Sequence, residues 1–170
     1  MKVVSIFAEK LYALQYEGEV ENEYARLLDL WRDVVYLRQF ATQNNIIDVR
    51  EFINQIREDA EYIRELVAKI TKNNSPFEDF FMPLNNLQTR AKILSLQKGK
   101  RYKLRIYAIK IDENLFVITG GAIKLVFKMQ EHDDTKNEKI KLEFAKTYFQ
   151  RNGVFDNDSF YELINENYED

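Results

Sequence analysis

The 170-residue chain has no cysteine, two prolines, five glycines and a single histidine. Without cysteine there is no disulfide framework, no thiol nucleophile and no thiolate zinc site, which suits a reducing compartment. Scarce glycine and proline leave little material for flexible linkers, so short loops are expected. One histidine rules out the paired-histidine chemistry of pancreatic-type ribonucleases. No hydrophobic run approaches the roughly 20 residues of a membrane span. The amino-terminal MKVVSIFAEKLY turns polar at Glu9 and Lys10 before a signal-peptide core forms. A cytoplasmic protein with no membrane contact is the expectation. The chain also lacks a GxGxxG loop, a P-loop lysine and a GxSxG elbow, so nucleotide hydrolysis and acyl transfer by those routes have no support.

Twelve Phe and ten Tyr give large burial per residue, and the length suffices for a substantial core. One domain spanning 1–170 is expected, with sub-lobes at 1–74 and 75–170 divided at Asn73-Asn74-Ser75-Pro76. Charge is unevenly distributed. Leu87 to Lys110 carries eight cations (Arg90, Lys92, Lys98, Lys100, Arg101, Lys103, Arg105 and Lys110) and no acid; the net charge of −3 then leaves −11 for the remainder. An acidic chain that gathers its positive charge on one element implies a local anionic partner, with RNA the first candidate.

The spacing predicts one strand in the segment from Val3 to Tyr16, ended by Glu17-Gly18-Glu19. Asn22 is placed to cap a helix running to about Gln43, with Tyr24, Leu27, Leu28, Trp31, Val34, Val35 and Leu37 apolar. A second helix, from near Asp48 to about Lys72, carries the stripe Val49, Phe52, Ile53, Ile56, Ala60, Ile63, Leu66, Val67 and Ile70. The break between the two implies a long antiparallel helical hairpin. Phe77 to Leu84 reads as an aromatic turn tucked into the core. Period-two patterning then marks strands near Ala91–Leu96, Arg101–Ile109 and Leu115–Thr119, with Ile111-Asp112-Glu113-Asn114 as the hairpin turn and Gly120-Gly121 as the end. Ala122 to Met129 is a short helix or an extended piece. Helices follow at Thr135–Gln150 and from Asp156 to about Glu166. The fold class is α+β, with a small antiparallel sheet and carboxy-terminal helices.

On the Arg101–Ile109 strand, alternation directs Arg101, Lys103, Arg105 and Tyr107 to one face, where three cations can track phosphates. Gly120-Gly121 offers a place for close backbone approach, and Lys124 and Lys128 follow. A groove so lined can stabilise charge in a phosphoryl-transfer transition state. The plainer reading is a solvated outer face whose lysines guard an edge against aggregation. His132 lies in Gln130-Glu131-His132-Asp133-Asp134 and is read as a surface-loop residue; its neighbouring acids are adjacent rather than helically spaced, so no metal site is expected, and no cofactor is implied. The acid-rich Phe155–Asp170 segment reads as a solvated tail or as a cover that folds over the basic hairpin.

The segment from about residue 82 to 150 resembles the RelE/HigB group of bacterial toxins, including phage-derived members. The resemblance rests on Lys103-Leu104-Arg105-Ile106-Tyr107, on the apolar strand Leu115-Phe116-Val117-Ile118-Thr119, on Ala122-Ile123-Lys124 for a basic Phe-x-Lys-Lys segment, and on a helix over Glu138–Phe149. That family's order is one strand, two helices, three antiparallel strands and a closing helix. Its active members are metal-independent, ribosome-dependent messenger-RNA endonucleases, usually partnered by a helix-turn-helix antitoxin. The resemblance implies Arg105 as the transition-state arginine and Lys124 as a basic helper; the strand alternation and the basic residues beyond it add Arg101, Lys103, Tyr107 and Lys128 as RNA-binding candidates. Leu125 replaces the second lysine of the family pair, with Lys128 as the candidate substitute, Asp134-Thr135 lacks the usual proline, and the terminal catalytic tyrosine has no secure match. The rival expectation is a non-catalytic protein–protein interaction module that docks an acidic protein, with the helix pair forming a homodimer.

Overall fold

The structure is a computed structural model that describes residues 1–7, 9–83, 91–94, 103–125 and 133–169. It has the α+β composition expected, with β1 (Lys2–Phe7), β2 (Leu11–Gln15), α1 (Glu23–Leu30), α2 (Val34–Gln43), α3 (Val49–Lys72), β3 (Phe81–Pro83), β4 (Ala91–Leu94), β5 (Leu104–Asp112), β6 (Leu115–Ile123), α4 (Asp133–Arg151) and α5 (Asn157–Glu169). A 3-10 turn at Phe77–Asp79 precedes β3 and seats Phe77 in the core.

Side-chain caps set the helix limits. Asn22 accepts the Ala25 N–H at 3.0 Å, Asp33 accepts those of Val35 and Tyr36, and Asp48 accepts that of Glu51. The Asp33 cap divides the helix expected over 22–43 into α1 and α2 at Trp31–Asp33. Trp31, 1% exposed, is held in the core just past α1. Asn45, Asn74 and Asn114 all adopt positive φ, the left-handed conformation that asparagine tolerates at helix ends and tight turns.

The sheet has the order β1-β2-β6-β5-β4-β3. Two expectations are corrected here. The amino-terminal strand is an antiparallel hairpin, with Glu9 and Lys10 in the turn between β1 and β2. The sheet is mixed rather than antiparallel, because β2 runs parallel to β6 over Leu11↔Phe116 to Ala13↔Ile118, while β3, β4, β5 and β6 pair antiparallel in succession.

The central strands are covered on both faces. Leu11 and Ala13, Leu104, Ile106 and Ala108, and Phe116 and Ile118 pack beneath α1, α2 and α3 with Leu27, Trp31, Phe52 and Ile63. Tyr12 and Leu14, Ile109 and Ile111, and Leu115 and Val117 pack beneath α4 and α5 with Leu142, Phe149, Phe160 and Leu163. The result is three layers. The expected half-buried β5 with an open outer face gives way to a strand enclosed by helices, because α4 and α5 need somewhere to bury their own apolar stripes.

One irregularity matters for the site. The β5–β6 register passes from Ala108↔Ile118 to Tyr107↔Gly120, leaving Thr119 as an extra residue. This bulge reverses the alternation of β6. Gly120 therefore faces α4 and Gly121 faces α1, and the strand continues through both glycines to Ile123, where the sequence suggested an end.

Candidate functional site

The basic stretch does not present a single cationic face. Arg105, on β5, shares the α4 side with Tyr107, and its influence on the Tyr107 phenol marks them as neighbours. Lys103 precedes β5, and its ammonium lies 5.1 Å from the ring centre of Phe52 on α3, on the opposite layer. Lys110 is paired with Glu78 at 2.5 Å. Tyr107 is 4% exposed, so the outward-facing phenol expected of it is not realised; burial raises its pKa, Glu138 adds to that, and Arg105 opposes it. Arg101, Lys128 and His132 lie outside the described residues.

The main chains of Lys103, Arg105 and Lys124 nevertheless lie together at one end of the β5–β6 ladder. Leu104 is opposite Ile123 and Arg105 opposite Ala122, and the Lys124 N–H donates to the Lys103 carbonyl. Lys124 is exposed and Arg105 partly so. Among the described residues no carboxylate forms an ion pair with either. Lys103 has a nearby acid: Asp59 on α3 accepts its main-chain N–H and a 2.7 Å bond from Gln55. Asp59 is 3% exposed, its Oδ2 has no partner among the described residues, and burial raises its pKa.

A second constellation, absent from the sequence expectations, sits where the β2–β6 pairing stops at Ala13↔Ile118. Beyond that point β2 no longer shields β6, and polar side chains fill the space. Glu23 of α1, 1% exposed, receives both arms of the Arg26 guanidinium at 2.8 and 2.9 Å. Lys141 of α4 reaches Glu23 at 3.4 Å and Glu138 at 3.2 Å. It also lies 5.5 Å from the Tyr16 ring centre. The Tyr16 hydroxyl donates to the Thr119 carbonyl at 2.6 Å, supplying a partner to the bulged residue. Burial, then Glu23 and Glu138, push the Tyr16 phenol far above its ordinary range. Glu138 is 8% exposed, and its Oε2 has no partner among the described residues. Burial raises its pKa most, Glu23 raises it further, and Lys141 and Arg26 lower it.

Gly120 makes the cluster sterically feasible. An ideal Cβ there would overlap the Glu138 carboxylate and stand 3.6 Å from Glu23 Oε2. The sequence signal was the glycine pair inside a β-rich strand, which marks a close approach. The approaching group is a carboxylate at Gly120, and at Gly121 the Leu27 and Trp31 side chains of α1. Glu23 and Glu138 themselves carry no signal, because an acid in a first helical turn or on an amphipathic helix is ordinary. No group of three or more His, Asp or Glu side chains among the described residues is arranged to hold a metal ion. No described helix is long and apolar enough to cross a membrane. No family model matches the chain, and neither a curated protein nor a solved structure matches it.

Proposed function

We propose that the protein is a RelE/HigB-like, toxin-type RNA-binding protein that takes phosphates at the β5–β6 end with Arg105 and Lys124. The observation that carries this reading is the cross-strand placement of Arg105 opposite Ala122 with Lys124 two residues on, where the Lys124 main-chain N–H closes the ladder onto the Lys103 carbonyl. The element order matches that family only coarsely: two amino-terminal strands stand for one, three helices for two, four later strands for three, and α5 follows the closing helix α4. In a cleavage reaction the ribose 2′-hydroxyl gives its proton to water and attacks the adjacent 3′-phosphate in line, forming the 2′,3′-cyclic phosphate; the P–O5′ bond breaks and the leaving 5′-oxygen takes a proton from water. The Arg105 fork and the Lys124 ammonium then offset the charge that develops on the phosphoryl oxygens. Tyr107, being enclosed, backs Arg105 rather than touching RNA. A helix-turn-helix antitoxin is the partner this reading implies.

The test is overexpression of the wild type beside Arg105→Ala and Lys124→Ala, reading growth and translation, with RNA binding measured over a salt series. Binding falls steeply with salt, and each alanine flattens that slope by about one unit. Translation arrest that survives both substitutions refutes the assignment.

A non-catalytic interaction module is the second reading. It is favoured by Ile140 and Phe144, 60% and 57% exposed and one turn apart on α4. Binding to an apolar partner through that pair is insensitive to salt and lost in Phe144→Ser.

A further inference from the structure

The two helical layers lie on opposite faces of the sheet, yet their charged groups meet beside β6 just past the last β2–β6 pair, Ala13↔Ile118. We propose that this junction is a proton-operated clamp between α1 and α4, closed when Glu138 is neutral and loosened when Glu138 ionises. It is independent of the RNA reading.

Every element around Glu138 contributes a titratable or charged group, or main chain. Its own helix supplies Lys141, which binds Oε1. The α1 helix supplies Glu23 and Arg26, already joined to each other by two hydrogen bonds. Tyr107 comes from β5, with Arg105 beyond it, and Tyr16 follows β2. From β6 there is only main chain, at Thr119 and Gly120. Lys141 is the one side chain that bonds carboxylates of both layers among these groups, and it divides itself between Glu23 and Glu138.

Glu23 is thus well paired, with three donor contacts. Glu138 is not: one oxygen has Lys141, and the other is enclosed against Gly120 without a partner. An enclosed carboxylate oxygen without a donor is costly. A neutral carboxyl carries its proton on that oxygen and also removes the repulsion from Glu23. When pH rises, the Glu138 O–H bond breaks, the proton passes to water and a second negative charge is left in the junction. A carboxyl raised above its unfolded value contributes stability that is complete below the unfolded pKa and is lost as pH rises through the folded one. The clamp therefore opens toward alkaline pH, and α4 separates from α1.

The experiment uses the whole chain with 13C-labelled glutamate carboxyls, titrated by NMR beside Glu138→Gln. It is paired with melting curves and amide exchange over residues 142–149 across the same pH range. One glutamate should titrate above the ordinary range, and its signal should vanish in Glu138→Gln. The wild type should lose about 2–4 °C in Tm relative to the variant between acidic and neutral pH. Protection of 142–149, corrected for intrinsic exchange, should fall over the same interval. The clamp is overturned if all glutamates titrate in the ordinary range, or if wild type and variant melt with parallel pH profiles. Should Glu138→Gln not fold, the wild-type titration and exchange decide alone.

Discussion

Glu138 occupies the volume that a side chain at position 120 would require. A Cβ on Gly120 would overlap its carboxylate oxygen and stand 3.0 Å from its Cδ, while Lys141 anchors the other oxygen at 3.2 Å. Gly120→Ala must therefore displace a carboxylate that is also half of an ion pair. A loss of roughly 2–4 kcal/mol is expected, seen as a Tm lowered by about 5–10 °C. Glu138→Ala made in the Gly120→Ala background should cost much less than in the wild type, a coupling of about 1–3 kcal/mol. Additive costs would show that the two positions do not compete for space.

Gly121→Ala should be worse, and no single truncation should rescue it. Its Cβ would meet the Arg105 main-chain carbonyl at 2.6 Å, with Leu27 and Trp31 at 2.9 and 3.0 Å. A carbonyl held in the β5–β6 ladder has nowhere to go. Recovery of wild-type melting in Gly121→Ala/Leu27→Ala would contradict this.

Arg26→Met removes the fork from a carboxylate that is 1% exposed and leaves Lys141 at 3.4 Å as its ion-pair partner. The expected loss is about 3 kcal/mol in chemical denaturation, because the stranded charge costs more than the pair gained. Adding Glu23→Gln should return part of it; no recovery would place the damage in lost packing instead.

Asp59 bears on stability at higher pH. Burial holds its pKa above the ordinary value, so its contribution is fully present below the unfolded pKa and is lost as pH rises through the folded one. Asp59→Asn retains an oxygen for Gln55 and the Lys103 N–H. The variant should therefore gain on the wild type as pH rises from about 4 to 7, by urea midpoint. A constant difference across that range would exclude this role.

Arg105→Lys keeps the charge at the β5–β6 end and loses the bidentate geometry. Under the RNA reading it should retain salt-dependent binding within severalfold and lose most translation arrest. Full arrest with lysine at 105 would leave Arg105 as a charge contact alone.

The helices were the most legible part of the chain. The stripes around Leu27–Leu37 and Phe52–Ile70 repeat at helical spacing, and Asn22 and Asp48 are capping residues ahead of them. Asn44-Asn45, Asn73-Asn74 and Asn114 gave the breaks and the hairpin turn because few other residues accept the left-handed conformation. The division at Asp33 was hidden, since a cap inside a continuous apolar stripe looks like one more polar position. The parallel β2–β6 pair was hidden too. It joins segments about 100 residues apart, and nothing in either strand encodes which neighbour it takes.

The candidate site was half legible. The cations of 101–124 and the glycine pair stand out as residue types. Their faces do not, because the Thr119 bulge inverts the alternation and Lys103 leaves the strand to lie over Phe52.

By itself, the sequence determined what is local: helix periods, caps, turns, the charge-dense stretch and the missing thiols. Each of these follows from a residue and its near neighbours. Tertiary structure alone decided that β5 would be enclosed on both faces, that Arg105 and Lys124 would share an end, and that Glu23 and Glu138 would face one another over Gly120. Those outcomes depend on how two helical layers compete to bury apolar surface against one sheet, and on where the pairing of β2 with β6 stops.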